Sequence, residues 1–209
     1  MTRVSKEVNV IRIHREKQGK IKVRRILDAA CEVFCKKGFL AVTMQDIIDE
    51  CGISRGGIYV YFSSVDEVFL ELMKQRNKEK LSEINEAVHG PGSFEDILGD
   101  YMARQKKRLL NFERSLFRAY CEYIFSKPKA AVEAFRNIQY EKVRETILSI
   151  LLLGVQQNVI RDENLNSLAE HIIVTIDGLS VLALAEALTE RMVDQQLAIL
   201  REMIKNLRV

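Results

Sequence analysis

The stretch at residues 43–62, TMQDIIDECGISRGGIYVYF, constrains this chain more than any other. Thr43 with Asp46 three residues on has the spacing of a capping pair. A hydroxyl accepts from an unpaired backbone N–H, and a carboxylate sits at the positive end of a helix. Ile47, Ile48 and Cys51 then share one helical face. Gly52 predicts the stop, because glycine accepts the left-handed conformation that ends a helix. Ser54 is placed to cap a second helix, anchored by Ile58 and Phe62 at i, i+4. Two short helices around a glycine-containing turn make a helix-turn-helix.

The second helix carries adjacent glycines, Gly56 and Gly57, each costing about 1 kcal/mol relative to alanine in a helix. Either this is a frayed turn, or the missing side chains let the backbone approach a surface closely, such as the floor of a DNA major groove. Arg55 beside them has the forked geometry suited to guanine or phosphate. Tyr59 and Tyr61 are phenols able to donate to phosphate oxygens, or else ordinary amphipathic surface.

Around this motif, residues 26–68 resemble the N-terminal domain of the TetR family of bacterial transcriptional regulators. The resemblance is carried by Ile26, Leu27, Ala29, Ala30, Phe34 and Gly38, then by Thr43, Ile47, Gly52 and Ser54, and then by Tyr59, Tyr61 and Phe62. It covers about a fifth of the chain. It implies that Arg55, Gly56 and Gly57 read bases, and that Thr43, Tyr59 and Tyr61 contact phosphates. Lys22 and Ser54 complete the expected DNA-binding set. One departure is Val65, where the family usually has a phosphate-contacting lysine, so some backbone affinity must come from elsewhere.

The N-terminus is the natural source. Residues 1–25 hold nine Lys or Arg against two Glu, a net +7 in a chain whose total is +3, leaving −4 for the remainder. Such asymmetry points to a polyanion partner at one end. A basic arm at residues 1–20 could enter a minor groove or lie along the backbone, or be a solvated tail. No uninterrupted apolar stretch follows these charges, so a secretory signal is not expected. The longest apolar run, residues 147–155, is too short to span a bilayer, and no membrane partner is expected.

With 209 residues, 47% hydrophobic and 29% charged, the chain has room for a substantial core. Two prolines and few alternating stretches favour an all-α fold. The four cysteines show no CxxC pattern and suit packing in a reduced cytoplasm, although Cys31 and Cys35 at i, i+4 leave a redox pair open. Three scattered histidines suggest no metal site. No catalytic constellation and no cofactor signature is present, so an enzyme is not expected.

Helical periodicity predicts about nine helices. The first runs over residues 22–37. After the helix-turn-helix, Ser63 or Ser64 opens a long helix reaching His89, and the Gly90-Pro91-Gly92 break ends it. Further helices are expected over 93–110, 113–125, 128–157, 164–188 and 193–207. The resulting layout is a three-helix DNA-binding head at 21–67 and a ligand-binding and dimerisation bundle at 68–209. The last two helices are apolar on more than one side, and so need burial on more than one side. A four-helix seam with a second copy would supply it, with Ile172, Ile176, Leu179 and Leu182 on one helix and Leu197, Leu200 and Ile204 on the other. The resemblance implies the same, since family dimers form through these helices and the IDGL at residues 176–179 resembles a recurring family segment.

A ligand cavity is expected between head and seam. Its candidate lining is Met73, Met102, Phe117, Tyr120, Cys121, Phe135, Gln139, Thr146 and Thr175, with Ile124, Val143, Ile147 and Asp177 also directed inward. Gln139 and Thr146 share a stripe with Phe135 and Val143, where polar groups either orient a ligand or are satisfied core groups. The aromatic and Met content suggests a largely apolar small-molecule effector. The expected function is a homodimeric, ligand-responsive DNA-binding regulator, a repressor acting on a palindromic operator in double-stranded DNA. The alternative is a DNA-bound interaction protein regulated by a protein partner or acting in chromosome organisation.

Overall fold

The computed structural model describes the backbone from Arg3 and side chains from Lys17 through to Val209. Among the described residues the fold is all-α: α1 (Arg3–Lys37), α2 (Met44–Cys51), α3 (Arg55–Tyr59), α4 (Val65–His89), α5 (Phe94–Leu110), α6 (Leu116–Ser126), α7 (Lys129–Gln156), α8 (Leu165–Leu184) and α9 (Glu190–Lys205), with a single 3₁₀ turn at Phe112–Arg114.

The local signals of the head act as expected. Thr43 accepts from the Asp46 N–H and Asp46 receives the Thr43 N–H, a complete capping box. Lys37 also donates to the Asp46 carboxylate at 2.6 Å. That bond, then the Thr43 donors, holds the Asp46 acid at about 2. Gly52 ends α2 at φ +64, Ser54 caps α3, and Ser64 caps α4. Ser63 instead bonds back to Glu67 through its N–H and hydroxyl.

Several boundaries differ from the sequence expectation. Helix α1 continues from Arg3 rather than starting at residue 22, so the backbone of the expected arm is helical; the arm's side chains up to residue 16 lie outside the described residues. Gly19 is a single weak helix position with no proline near it, and one such residue does not break a helix. Helix α8 ends at Leu184, because Glu186 takes a left-handed φ of +55. Helix α9 starts early at Glu190, because Thr189 caps it. The segment before α6 forms the 3₁₀ turn, and Ser115 then caps α6.

Two cores organise the molecule. In the first, Ile26, Ala30, Phe34, Ile47, Ile58 and Phe62 of the head pack with Val68, Phe69 and Leu72 of α4, and with Ala119, Tyr123 and Val132 of the body. Phe34, Phe39, Phe69, Tyr123 and Phe135 form a chain of edge-to-face and tilted ring contacts 4.9–6.5 Å apart. The head is therefore welded onto α4, α6 and α7 rather than hung from a linker. The second core joins α5, α7, α8 and α9 through Phe94, Met102, Leu151, Ile172, Leu197 and Leu200.

This second core corrects the expected dimer stripe. Ile172, Ile176, Leu179, Leu197, Leu200 and Ile204 are all at most 5% exposed within one protomer, because they close the protomer's own core; Leu182 is half-buried. The apolar residues left outside are different: Val174, Val181 and Leu184 on α8, and Ile199 and Met203 on α9. Helix α8 is also, among the described residues, the one helix long and apolar enough to cross a bilayer. Its packing against α5, α7 and α9 accounts for much of that apolar character.

Candidate DNA-facing head and its coupling to the body

Helix α3 is held from below and bare above. Ile58 is fully buried, and Ser54 accepts from the Gly57 N–H at 3.3 Å. The two glycines then separate in role. A Cβ on Gly57 would lie 2.8 Å from the Ile53 side chain and 3.1 Å from the Ser54 hydroxyl, so this glycine serves the turn. A Cβ on Gly56 would meet nothing within 4 Å. No intramolecular packing requires a glycine there. Arg55 and Gly56 are exposed, and no carboxylate pairs with Arg55 among the described residues.

The other expected DNA-facing residues divide. Tyr59 is 43% exposed and Lys22 is exposed. Thr43 is exposed, but its hydroxyl is engaged with Asp46 in the cap. Tyr61 is not the exposed phenol expected: it is half-buried against the head core, with its hydroxyl close to Gly19 of α1. That contact sets α1 against the turn that follows α3. Lys17, Lys20, Lys22, Arg24 and Arg25 are all exposed on this part of α1.

Helix α6 fastens the head to the body at two points. The Glu122 carboxylate accepts the Phe39 and Leu40 N–H groups at 2.6 and 3.0 Å, and Arg118 donates to it at 2.8 Å. Gly38 ends α1 at φ +74, and a Cβ on it would overlap that carboxylate. Five residues further on, at the C-cap of α6, Lys127 reaches Asp66 in the first turn of α4 at 2.5 Å and lies over the Phe39 and Tyr123 rings. The turn preceding α2 and the start of α4 are thus both tied to one body helix.

The expected ligand lining is only partly brought together. Gln139 is buried and accepts from Asn77 of α4 at 2.8 Å, and Thr146 donates to the Lys142 carbonyl of its own helix, so both are satisfied within the protein. Met102 is fully buried in the second core; Met73 and Phe135 pack against the first. Ile147 is likewise buried, Ile124 packs against the head core, and Val143 is 44% exposed rather than inward. Thr175 is half-buried.

Phe117, Tyr120 and Cys121 do meet, around a residue the sequence reading passed over. Arg108 of α5 lies 4.4 Å over the Phe117 ring. Burial, with smaller contributions from Asp177, raises the Tyr120 phenol to about 12 and the Cys121 thiol to about 11. Asp177 is expected inward and borders this group, although its residue is largely exposed. A separate cleft of about 320 Å³ lies elsewhere, between α5 and the end of α9.

Against this geometry, residues 26–72 match the family model described as bacterial regulatory proteins, tetR family. These residues make the head a TetR-family DNA-binding domain. Among its relatives, the HTH-type transcriptional regulator YfiR of Bacillus subtilis is 30% identical over 140 residues, covering 63% of this chain and 64% of that protein. The chain thus matches a little under two thirds of that relative's length. A TetR transcription regulator from Haloarcula marismortui shares the fold with a TM-score of 0.70 at 18% identity, covering 91% of this chain and all of that one. A transcriptional regulator from Saccharomonospora viridis, solved in complex with choline, has a TM-score of 0.67 at 25% identity, covering 88% and 95%.

Proposed function

We propose that this TetR-family chain is a transcriptional regulator that binds a palindromic operator as a homodimer, reading bases with α3, and that a small-molecule effector in the body releases it as a repressor. The observation that carries the DNA-reading part is the outer face of α3. Arg55 offers a forked cation, and Gly56 leaves the backbone bare where no packing inside the protein asks for it. A helix entering a major groove uses both features. The exposed basic residues 17–25 of α1 belong to the same head, with Arg25 reaching the Gly52 turn before α3, and offer backbone affinity that Val65 cannot.

The dimer reading is supported by the external stripe of α8, where Val174, Gly178 and Val181, with Ala185 at the C-cap, follow helical spacing and are all exposed. Two heads at fixed separation then require an operator with two half-sites. For an effector to act, it must bind the arrangement with displaced heads more tightly than the DNA-competent one. Helix α6 supports such coupling, since it contributes Phe117, Tyr120 and Cys121 on the body side and Glu122, with Lys127 at its C-cap, on the head side. A body that answers to no small molecule would favour regulation by a protein partner instead.

Selection of bound sequences from a random duplex pool tests the reading. The expected result is a palindromic consensus with half-site centres about one helical turn, or a multiple of one, apart. Recovery of sequences with no consensus would overturn operator recognition.

A further inference from the structure

Val60 is the residue of the head whose placement the fold leaves unexplained. Its side chain is 76% exposed, more than any other large apolar residue described in the head. The others that are exposed there are Ile21 on α1, Leu40 in the turn before α2, and Tyr59. Val60 follows directly on α3 with φ −65 and ψ −28, and the Phe62 N–H still bonds to the Ile58 carbonyl at 3.0 Å, so the helical register carries through it. At about 100° per residue, Arg55 and Tyr59 stand on one strip of the outer face, with Gly56 and Val60 on a second strip beside it. All four are exposed, while Ile58 on the far side is fully buried.

A single exposed valine on a protein surface needs no explanation by itself. Val60 is set apart by its neighbours. A helical side chain leans toward the N-terminus and covers the turn before it, which sets Val60 above Gly56. No atom from outside the helix backbone lies within 4 Å of the point that a Gly56 Cβ would occupy, so the Val60 methyls also stop short of it. The second strip thus offers bare backbone at one end, two methyl groups at the other and open space between. A β-branched side chain in helical backbone holds one strongly preferred χ1, so these methyls are presented without further ordering. They can neither donate nor accept a hydrogen bond. In the major groove such a group has one distinctive counterpart, the C5-methyl of thymine.

We propose that Val60 is a specificity-determining residue that reads the C5-methyl group of a thymine in each operator half-site, close to the base met by Arg55. This inference rests on the DNA-reading assignment of α3 above and adds a second read position together with its base. Arg55 and Val60 are five residues apart. That separation is about 7.5 Å along a helix axis, on the order of two base-pair steps, which places the thymine within about three base pairs of the base read by Arg55. The two strips then divide the work. Arg55 supplies the hydrogen bonds, and the bare backbone of Gly56 brings the helix close enough for the Val60 methyls to touch.

The test starts from the duplex that the full-length protein selects out of a random pool. Each thymine is replaced in turn, in both half-sites, by deoxyuridine, which removes the methyl group and leaves every base-pair hydrogen bond in place. Affinities are measured for the intact protein, Val60→Ala and Val60→Ile. At one thymine position per half-site, uridine should weaken the intact protein about fourfold per half-site and about fifteenfold for the symmetric duplex, the worth of burying one methyl group. Val60→Ala should bind the thymine and uridine duplexes alike, and Val60→Ile should keep the discrimination. Both variants should melt with the intact protein, since the side chain is exposed. If Val60→Ala weakens the thymine and uridine duplexes by the same factor, Val60 acts only through the fold and the proposal is overturned. A consensus with no methyl-sensitive thymine, or one whose sensitivity survives Val60→Ala, overturns it as well and leaves base reading by Arg55 standing. Failure to select any consensus contradicts the proposal together with the operator reading beneath it.

Discussion

Gly56 and Gly57 are neighbours in a five-residue helix, yet the space around them assigns them different work. Gly57 has no room for a Cβ, so Gly57→Ala is expected to destabilise the head. Gly56 has open space, so Gly56→Ala should leave thermal stability unchanged or raise it by up to about 1 kcal/mol through helix propensity. If α3 lies against DNA, the same methyl should weaken operator binding at least tenfold, an opposition of stability and affinity that a melting curve and a binding isotherm together reveal. Unchanged operator affinity in Gly56→Ala would remove the close-approach argument. The sequence showed two costly glycines but could not say which one the fold itself demanded, since that depends on where Ile53 and Ser54 point. Arg108 was illegible for a related reason. It stands among Arg104, Lys106 and Lys107, in what reads as a solvated basic stretch, and only the packing of α5 against α6 and α8 turns it inward.

At the scale of elements, local chemistry was legible wherever a cap or stop sat beside its partner in sequence. The Thr43–Asp46 box, the Gly52 stop, the Ser93 cap of α5 and the left-handed Asn158 are all contacts within a few residues. The Glu122 clamp was not legible, because its partners lie more than eighty residues away. It makes a specific prediction. Glu122→Ala strips the partly buried Phe39 N–H and the exposed Leu40 N–H of their acceptor and removes the Arg118 partner; it should cost about 1–3 kcal/mol, on the order of 5 °C in melting temperature. It should also weaken operator binding, by freeing the turn that precedes α2. Glu122→Gln keeps an acceptor oxygen and should recover part of both. A fall in stability with operator affinity intact would make α6 a brace rather than a coupling element. The stripe of Gln139 and Thr146 teaches the converse: polar residues on an apolar face proved to be satisfied by Asn77 and by the helix's own backbone.

At the scale of the whole molecule, the sequence indicated that α8 and α9 have more apolar surface than one partner can cover, but it could not divide that surface between inside and outside. The most regular stripe, Ile172 to Ile204, closes the protomer, and the less regular residues Val174, Val181 and Ile199 remain outside. Val181→Asp is therefore expected to turn a species of twice the chain mass into one of single mass in sedimentation equilibrium. Being on the surface, it should change protomer stability by no more than about 0.5 kcal/mol. A dimer that persists in both Val181→Asp and Ile199→Asp would place the seam elsewhere.

The central claim, that α3 reads base sequence, is tested most directly by the affinity of Arg55→Ala for a selected operator and for a scrambled duplex at the same salt concentration. The account predicts a loss of about 1–3 kcal/mol on the operator, roughly 5- to 150-fold, with little change on the scrambled duplex. An equal loss on both would make Arg55 a phosphate contact, and no loss on either would contradict the DNA-facing assignment of α3.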